Sequence, residues 1–262
     1  MPIRETRVAL NTTTGTQDIT IPGIGTPKAV EIEIINAGTD DTVTANAALC
    51  HGFTDGTRVV HSFSNSRDNV ASSSTRRRTG DNVLGISYDP SGFVVTSFGF
   101  DSWITDGIRI NITSANGNSA FAVVRFWYGA DVTNVYAGIQ QLTSTSVDVT
   151  APNFEPSYVK VCSNGDAVQD SRNLQAIQSF GIAINDGSAT NRGLLYYDEN
   201  SQSITDSGQY LSDIACAGQY FNGTLSYQTT VDNFDSQGFT FSSSASPGND
   251  YVIYLAVEMS DT

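Results

Sequence analysis

The strongest constraint on this chain is that its pattern is written twice. Asp55-Gly56 recurs as Asp186-Gly187 (186 − 55 = 131), and Gly92 recurs as Gly223 at the same offset. Asp101-Ser102-Trp103 with Gly107-Ile108-Arg109-Ile110 returns as Asp232-Asn233-Phe234 with Gly238-Phe239-Thr240-Phe241, again 131 apart. Asp18-Ile19-Thr20-Ile21-Pro22 precedes Asp148-Val149-Thr150-Ala151-Pro152 by 130. Glycines, aromatics and strand starts thus keep one register along 262 residues. The spacing predicts two copies of one domain, each large enough to bury its own core. The boundaries expected are an N-terminal arm at 1–16, a first domain at 17–131, a linker at 132–142 and a second domain at 143–262.

Local pattern says what each copy is made of. Only 15% of residues are charged, and Ser, Thr, Asn, Gly, Val and Tyr dominate the rest. β-Branched and aromatic side chains suit a pleated surface, while Gly and Asn permit the positive φ of tight turns. Val30, Ile32 and Ile34 alternate with Glu31 and Glu33, which predicts a strand with one face on a core and both carboxylates in solvent. The continuous apolar runs at 121–128 and 251–257 predict interior strands covered on both faces. Turn signals at Thr54-Asp55-Gly56, Asp89-Pro90-Ser91-Gly92, Ala115-Asn116-Gly117, Asn185-Asp186-Gly187, Asn222-Gly223 and Pro247-Gly248 divide the chain into eight candidate strands per copy. The fold expected is all-β: two tandem duplicated antiparallel β-sandwiches, jelly-roll-like in each copy.

A net charge of −14 and a pI near 4.2 oppose direct binding to a phosphate backbone over most of the surface, so nucleic acid is not expected as a partner. No apolar run approaches the roughly 20 residues needed to cross a bilayer, and no membrane association is expected. Met1-Pro2-Ile3-Arg4-Glu5 lacks an apolar signal core, so no cleaved leader is expected. Cys50, Cys162 and Cys216 form no CxxC pair and read as buried free thiols.

Catalytic motifs are missing: neither copy contains Gly-x-Ser-x-Gly, His-Glu-x-x-His or a Gly-rich phosphate loop between strand and helix. His51 and His61 fall on different expected strands with no third ligand to join them, and read as structural. The acidic turns at Asp40-Asp41 and Asp198-Glu199-Asn200 lack the ligand spacing of a calcium loop. Turn formation accounts for them. No pair of carboxylates is singled out for glycoside hydrolysis. The expectation is a protein without enzymatic activity, metal or cofactor.

One basic cluster departs from the acidic background. Arg76-Arg77-Arg78, with Arg67 nearby, falls in the longest irregular stretch, Asn65 to Asp81, and its counterpart at offset 131 is the uncharged Ser207-Gly208-Gln209. Three adjacent guanidiniums repel one another unless carboxylates face them, so Arg67, Arg76, Arg77 and Arg78 are the candidate partner-binding residues. The competing reading is a solvated loop. The Thr-rich arm, Arg4 to Thr16, reads either as a strand donated to a neighbour's sheet edge or as a frayed end. Gly107 and Gly238 share one repeated site at a strand start, where a bulge or positive φ is expected.

Three features carry a family resemblance. Pro27-Lys28-Ala29-Val30 and Pro156-Ser157-Tyr158-Val159 follow the first strand of each copy; Gly52-Phe53-Thr54-Asp55-Gly56 and Gly181-Ile182-Ala183-Ile184-Asn185-Asp186-Gly187 follow as strand and turn. The third is the late Asp-x-aromatic-x-x-x-Gly strand of each copy. Together they resemble the β-sandwich virion structural proteins of tailed bacteriophages, of the capsid-decoration (auxiliary head) or fibre-associated type. The resemblance implies a non-enzymatic subunit made in the host cytoplasm and carried on the exterior of the virion. Its partners would be the major capsid protein or other virion subunits, and it would be a homo-oligomer that decorates or cements the shell. The alternative is a glycan-binding or adhesin module on a tail or fibre, suggested by Trp103, Trp127 and eleven tyrosines. Trp103 and Phe234 hold equivalent repeat positions and read as core.

Overall fold

The computed structural model describes residues 2–36, 47–67, 74–89, 93–174, 176–198, 207–221 and 224–260. Among them there is no α-helix; the alternation of β-branched residues with polar ones, broken by Asx-Gly turns, yields strands throughout. The first half supplies β1 (Ile3–Ala9), β2 (Gly15–Thr20), β3 (Ala29–Ile35), β4 (Ala47–Thr54), β5 (Val59–Arg67), β6 (Ser74–Gly80), β7 (Gly85–Tyr88), β8 (Val94–Ile104), β9 (Gly107–Ala115) and β10 (Phe121–Trp127). The second supplies β11 (Val132–Gln141), β12 (Ser146–Val149), β13 (Tyr158–Asp166), β14 (Asn173–Leu174), β15 (Ala176–Ile184), β16 (Thr190–Asp198), β17 (Ser207–Ser212), β18 (Ala217–Phe221), β19 (Thr224–Asp235), β20 (Gly238–Ser243) and β21 (Tyr251–Met259).

The two halves share one strand order. In the first, a large sheet runs β1-β10-β3-β4-β5-β6 and a small one β2-β9-β8-β7; in the second, β11-β21-β13-β15-β16-β17 and β12-β20-β19-β18. The outer strands cross between sheets as in a jelly roll, and the remainder run as meanders. β14 is the one addition: it pairs antiparallel with β6, so a dipeptide of the second half extends the large sheet of the first.

Each half encloses a core between its two sheets. Ile32, Ile34, Phe63, Phe98, Ile110 and Phe126 belong to the first, and Val161, Val231, Phe239, Phe241 and Tyr254 to the second. Trp103 and Phe234 pack partly buried against these cores. A third cluster, with Ala29, Phe53, Val60, Trp127, Val132, Ala137, Cys162 and Leu255, joins the outer faces of the two large sheets. The chain is therefore four sheets deep, with the large sheets back to back in the middle. β21 is apolar on both faces for this reason: Val252, Tyr254 and Ala256 face the second core, and Ile253, Leu255 and Val257 face the first half.

Three segments expected to be irregular are strands, and so is the N-terminal arm, expected either as a strand donated to a neighbour's sheet edge or as a frayed end, which pairs within its own half. The arm at 1–16 and the linker at 132–142 supply β1 and β11, which occupy the same place beside β10 and β21 and so are themselves copies. The stretch from Asn65 to Asp81 contains the end of β5 and all of β6, and β17 lies in its counterpart. Each half thus has ten repeated strands among the described residues rather than eight. Polar sequence hid β1 and β6: runs rich in Arg, Glu and Thr carry little apolar alternation, and pairing with a neighbour holds them extended.

The repeated glycines are needed for close approach. A Cβ on Gly107 would lie 2.0 Å from the Ile19 carbonyl oxygen, and one on Gly238 would lie 1.9 Å from that of Val149. Ile19 on β2 and Val149 on β12 are themselves repeat equivalents, so one tight backbone crossing has been kept twice. Gly107→Val and Gly238→Val are each expected to lower stability by about 1–3 kcal/mol or more, through overpacking against backbone that cannot retreat. Unchanged thermal melts in both variants would contradict this.

Candidate functional site

The chemistry of this chain is concentrated where the two large sheets meet. Gly52 and Gly181 set the correspondence, because a Cβ at either would strike a carbonyl oxygen of the small sheet beneath, that of Leu84 or of Cys216. Strand pairing carries this outward: Ile32 faces Gly52 and Val161 faces Gly181, so Glu31 and Lys160 hold the same position in the two copies. Those two side chains touch. Lys160 Nζ donates to Glu31 Oε2 at 2.7 Å and to Glu33 Oε1 at 3.0 Å.

Glu31 is only 3% exposed, so the expectation that both glutamates face solvent fails. The alternation was read correctly as two faces; the polar face is buried too, against the other half. Trp127 Nε1 donates to Glu31 Oε1 at 2.9 Å, and Arg125 donates to Glu33 Oε1 at 2.7 Å and to Glu5 Oε2 at 3.0 Å. Burial opposes ionisation of Glu33, but Lys160, Arg125 and His51 outweigh it and hold the carboxyl down at about 2. Lys160 is lowered by burial and raised more by Glu31 and Glu33, to about 12, so it is charged at neutral pH.

Both histidines are buried, His51 in this seam and His61 on the opposite face of its sheet. His51 packs against Phe180, its own equivalent in the second half, with ring centroids 5.0 Å apart. Burial and the field of Lys160 depress it to about 3; burial and Arg78 do the same to His61. His61 Nδ1 lies 3.1 Å from the Val83 carbonyl oxygen. The three cysteines are free and buried, with the thiols of Cys50 and Cys216 pushed up to about 12 by burial.

The arginine run stands on β6, a strand and not a loop, with Arg77 on the face turned toward the second half and Arg76 and Arg78 on the opposite face. Arg77 Nη1 donates to the Asn164 carbonyl oxygen at 3.2 Å, and Asp166 and Asp250 oppose the effect of burial on its charge. Arg78 donates to Tyr88 Oη at 2.8 Å and Asn82 Oδ1 at 3.0 Å and lies 3.5 Å from Asp170. Arg76 donates to the Thr75 carbonyl oxygen at 2.7 Å and has Arg172 nearby. Arg67 closes β5. For Arg77 and Arg78 the opposing carboxylates, Asp166, Asp250 and Asp170, come from the second half of the same chain.

Between these charges lies a run of direct hydrogen bonds: Thr79 Oγ1 to Asn164 Oδ1 at 2.6 Å, Asn164 Nδ2 to the Phe63 carbonyl oxygen at 3.1 Å, Gln178 Nε2 to Ser62 Oγ at 3.3 Å and Ser64 Oγ to the Ile177 carbonyl oxygen at 2.5 Å. No sequence signal marks this seam, because its partners are about a hundred residues apart and each taken alone is an ordinary polar strand residue. Among the described residues no group of three or more His, Cys, Asp or Glu side chains is placed to hold a metal ion. The turn at Asp40-Asp41 and residues Glu199-Asn200 lie outside the described residues. Among those residues, too, no helix is long and apolar enough to cross a membrane.

What the fold and seam define is an all-β protein of four antiparallel sheets, in two halves of one strand order whose large sheets are joined by the Glu31, Glu33 and Lys160 ion pairs. No family model, curated protein or solved structure matches the chain.

Proposed function

We propose that this chain is a non-enzymatic virion structural protein that decorates or cements a bacteriophage shell, bound to the major capsid protein or other virion subunits on the particle exterior. The observation that supports this reading best is the disposition of its polar chemistry. Glu31, Glu33, Lys160 and Arg77 are directed into the contact between the halves. That arrangement suits a rigid scaffold presenting strand faces and turns for attachment. A surface with net charge −14 suits a partner with basic patches. The mechanism is mass action: a protein that binds the assembled lattice and not its dissociated subunits adds its binding free energy to the shell.

The test is mass spectrometry and image reconstruction of purified particles. The expected result is density for the four-sheet body in stoichiometric, symmetry-related copies, and shells that release their contents at lower temperature when the protein is stripped off. Absence from the particle, or binding to a glycan array in its place, overturns the reading.

A further inference from the structure

The outer face of the second large sheet continues past the first half, and its character changes there. Ser62 pairs with His51 and with Thr79; at the equivalent positions Leu194 pairs with Phe180 and with Leu211. Ser62 and Thr79 are buried in the seam between the halves, whereas Leu194 is 46% and Leu211 74% exposed. The chain therefore places small polar residues where this face is covered and large apolar ones where it is open. Solvent alone would favour the reverse.

The strand edges show the same inversion. β6 carries three adjacent arginines, and its edge is covered by β14. β17, the equivalent strand, ends its sheet and has no charged residue in Ser207–Ser212. Edge strands are ordinarily guarded by charge, proline or a covering segment; β17 has none of these among the described residues. The patch is also continuous with an established interface, since Leu194 lies beside Phe180, which packs on His51 of the first half.

We infer that this surface, the outer face of β16 and β17 with the β17 edge, docks a second copy of the chain, with β17 pairing antiparallel to its own copy about a twofold axis. Antiparallel pairing of identical strands is self-complementary and closes after two subunits. It joins two six-stranded sheets into one and brings the leucines of the two copies together. The strand itself favours this occupant, since an unpaired edge finds its antiparallel complement in its own copy, and an uncharged strand is where two molecules of net charge −14 approach with least opposition. The inference does not depend on the virion reading.

Sedimentation equilibrium of the full chain against concentration tests it. Wild type is expected to dimerise, and Leu211→Glu and Leu194→Asp are each expected to weaken the dimer by about tenfold or more, as for a central apolar contact, with melting temperatures close to the wild-type monomer. Hydrogen exchange of the 207–212 amides is expected to slow as the dimer forms. A wild-type chain that remains monomeric at millimolar concentration overturns the inference, even if Leu211→Glu then impairs binding to another protein. A dimer indifferent to both substitutions, or one whose β17 amides exchange unchanged, overturns it as well.

Discussion

Lys160→Met is expected to destabilise the chain by about 3–5 kcal/mol, because it leaves the Glu31 carboxylate charged and buried without its counter-ion. The other donors do not replace the ammonium. Trp127 is already engaged with the second oxygen of Glu31, and Arg125 stands 3.8 Å away with its hydrogen bonds directed to Glu33 and Glu5. The double variant Glu31→Leu with Lys160→Met is expected to recover most of the loss, since an apolar pair of similar volume needs no desolvation of charge. Denaturant unfolding of wild type, both single variants and the double variant measures the coupling. A Lys160→Met midpoint equal to wild type would show that the pair contributes nothing.

Mild acid is expected to unfold the protein. His51 and His61 both fall from the ordinary 6.5 to about 3 on folding, through burial first. Above pH 6.5 neither state binds these protons, and the two sites leave stability unchanged. Below it the unfolded chain takes them up and the folded chain does not, so stability falls by roughly 1.4 kcal/mol per pH unit for each site until about pH 3. Glu33 adds a loss in the same direction: its folded value of about 2 lies below the ordinary 4.5, so its contribution is complete above pH 4.5 and disappears as pH falls toward 2. His51→Phe, the residue the second half carries at Phe180, is expected to halve the slope between pH 6.5 and 4.5. The measurement is denaturant midpoint against pH; a flat profile over that window would refute the assignment of neutral buried imidazoles.

Much of the architecture was legible in the sequence, and for local reasons. The offset of 131 predicted two copies, and β1 to β10 and their counterparts do share one strand order. The three cysteines are buried and free, as expected, and both histidines lie on strands, as expected. Gly107 and Gly238 form one repeated site: close approach to the Ile19 and Val149 carbonyls requires glycine at both, and Gly238 also has the positive φ expected there, +156°. Turn dipeptides, period-two alternation and glycine positions are properties of neighbouring residues, and a chain displays them before it folds.

What only the tertiary structure decided is which polar faces meet one another. Alternation assigns Glu31 and Glu33 to the face opposite the core, but it is silent on whether water or a second sheet lies there. Arg76 to Arg78 read as an exposed cluster because their carbonyl and carboxylate partners, at Asn164, Asp166 and Asp170, lie nearly ninety residues further along. β1 and β11 read as arm and linker because their extended form is held by pairing with β10 and β21 at the far end of each copy. The sequence by itself thus determined most of the repeated strands and the turns between them, while pairing between distant strands and the stacking of the two large sheets determined the rest. That stacking depends on contacts between the copies, and a charge or hydroxyl on a strand has the same local signature whether it faces solvent or a complementary group on another sheet.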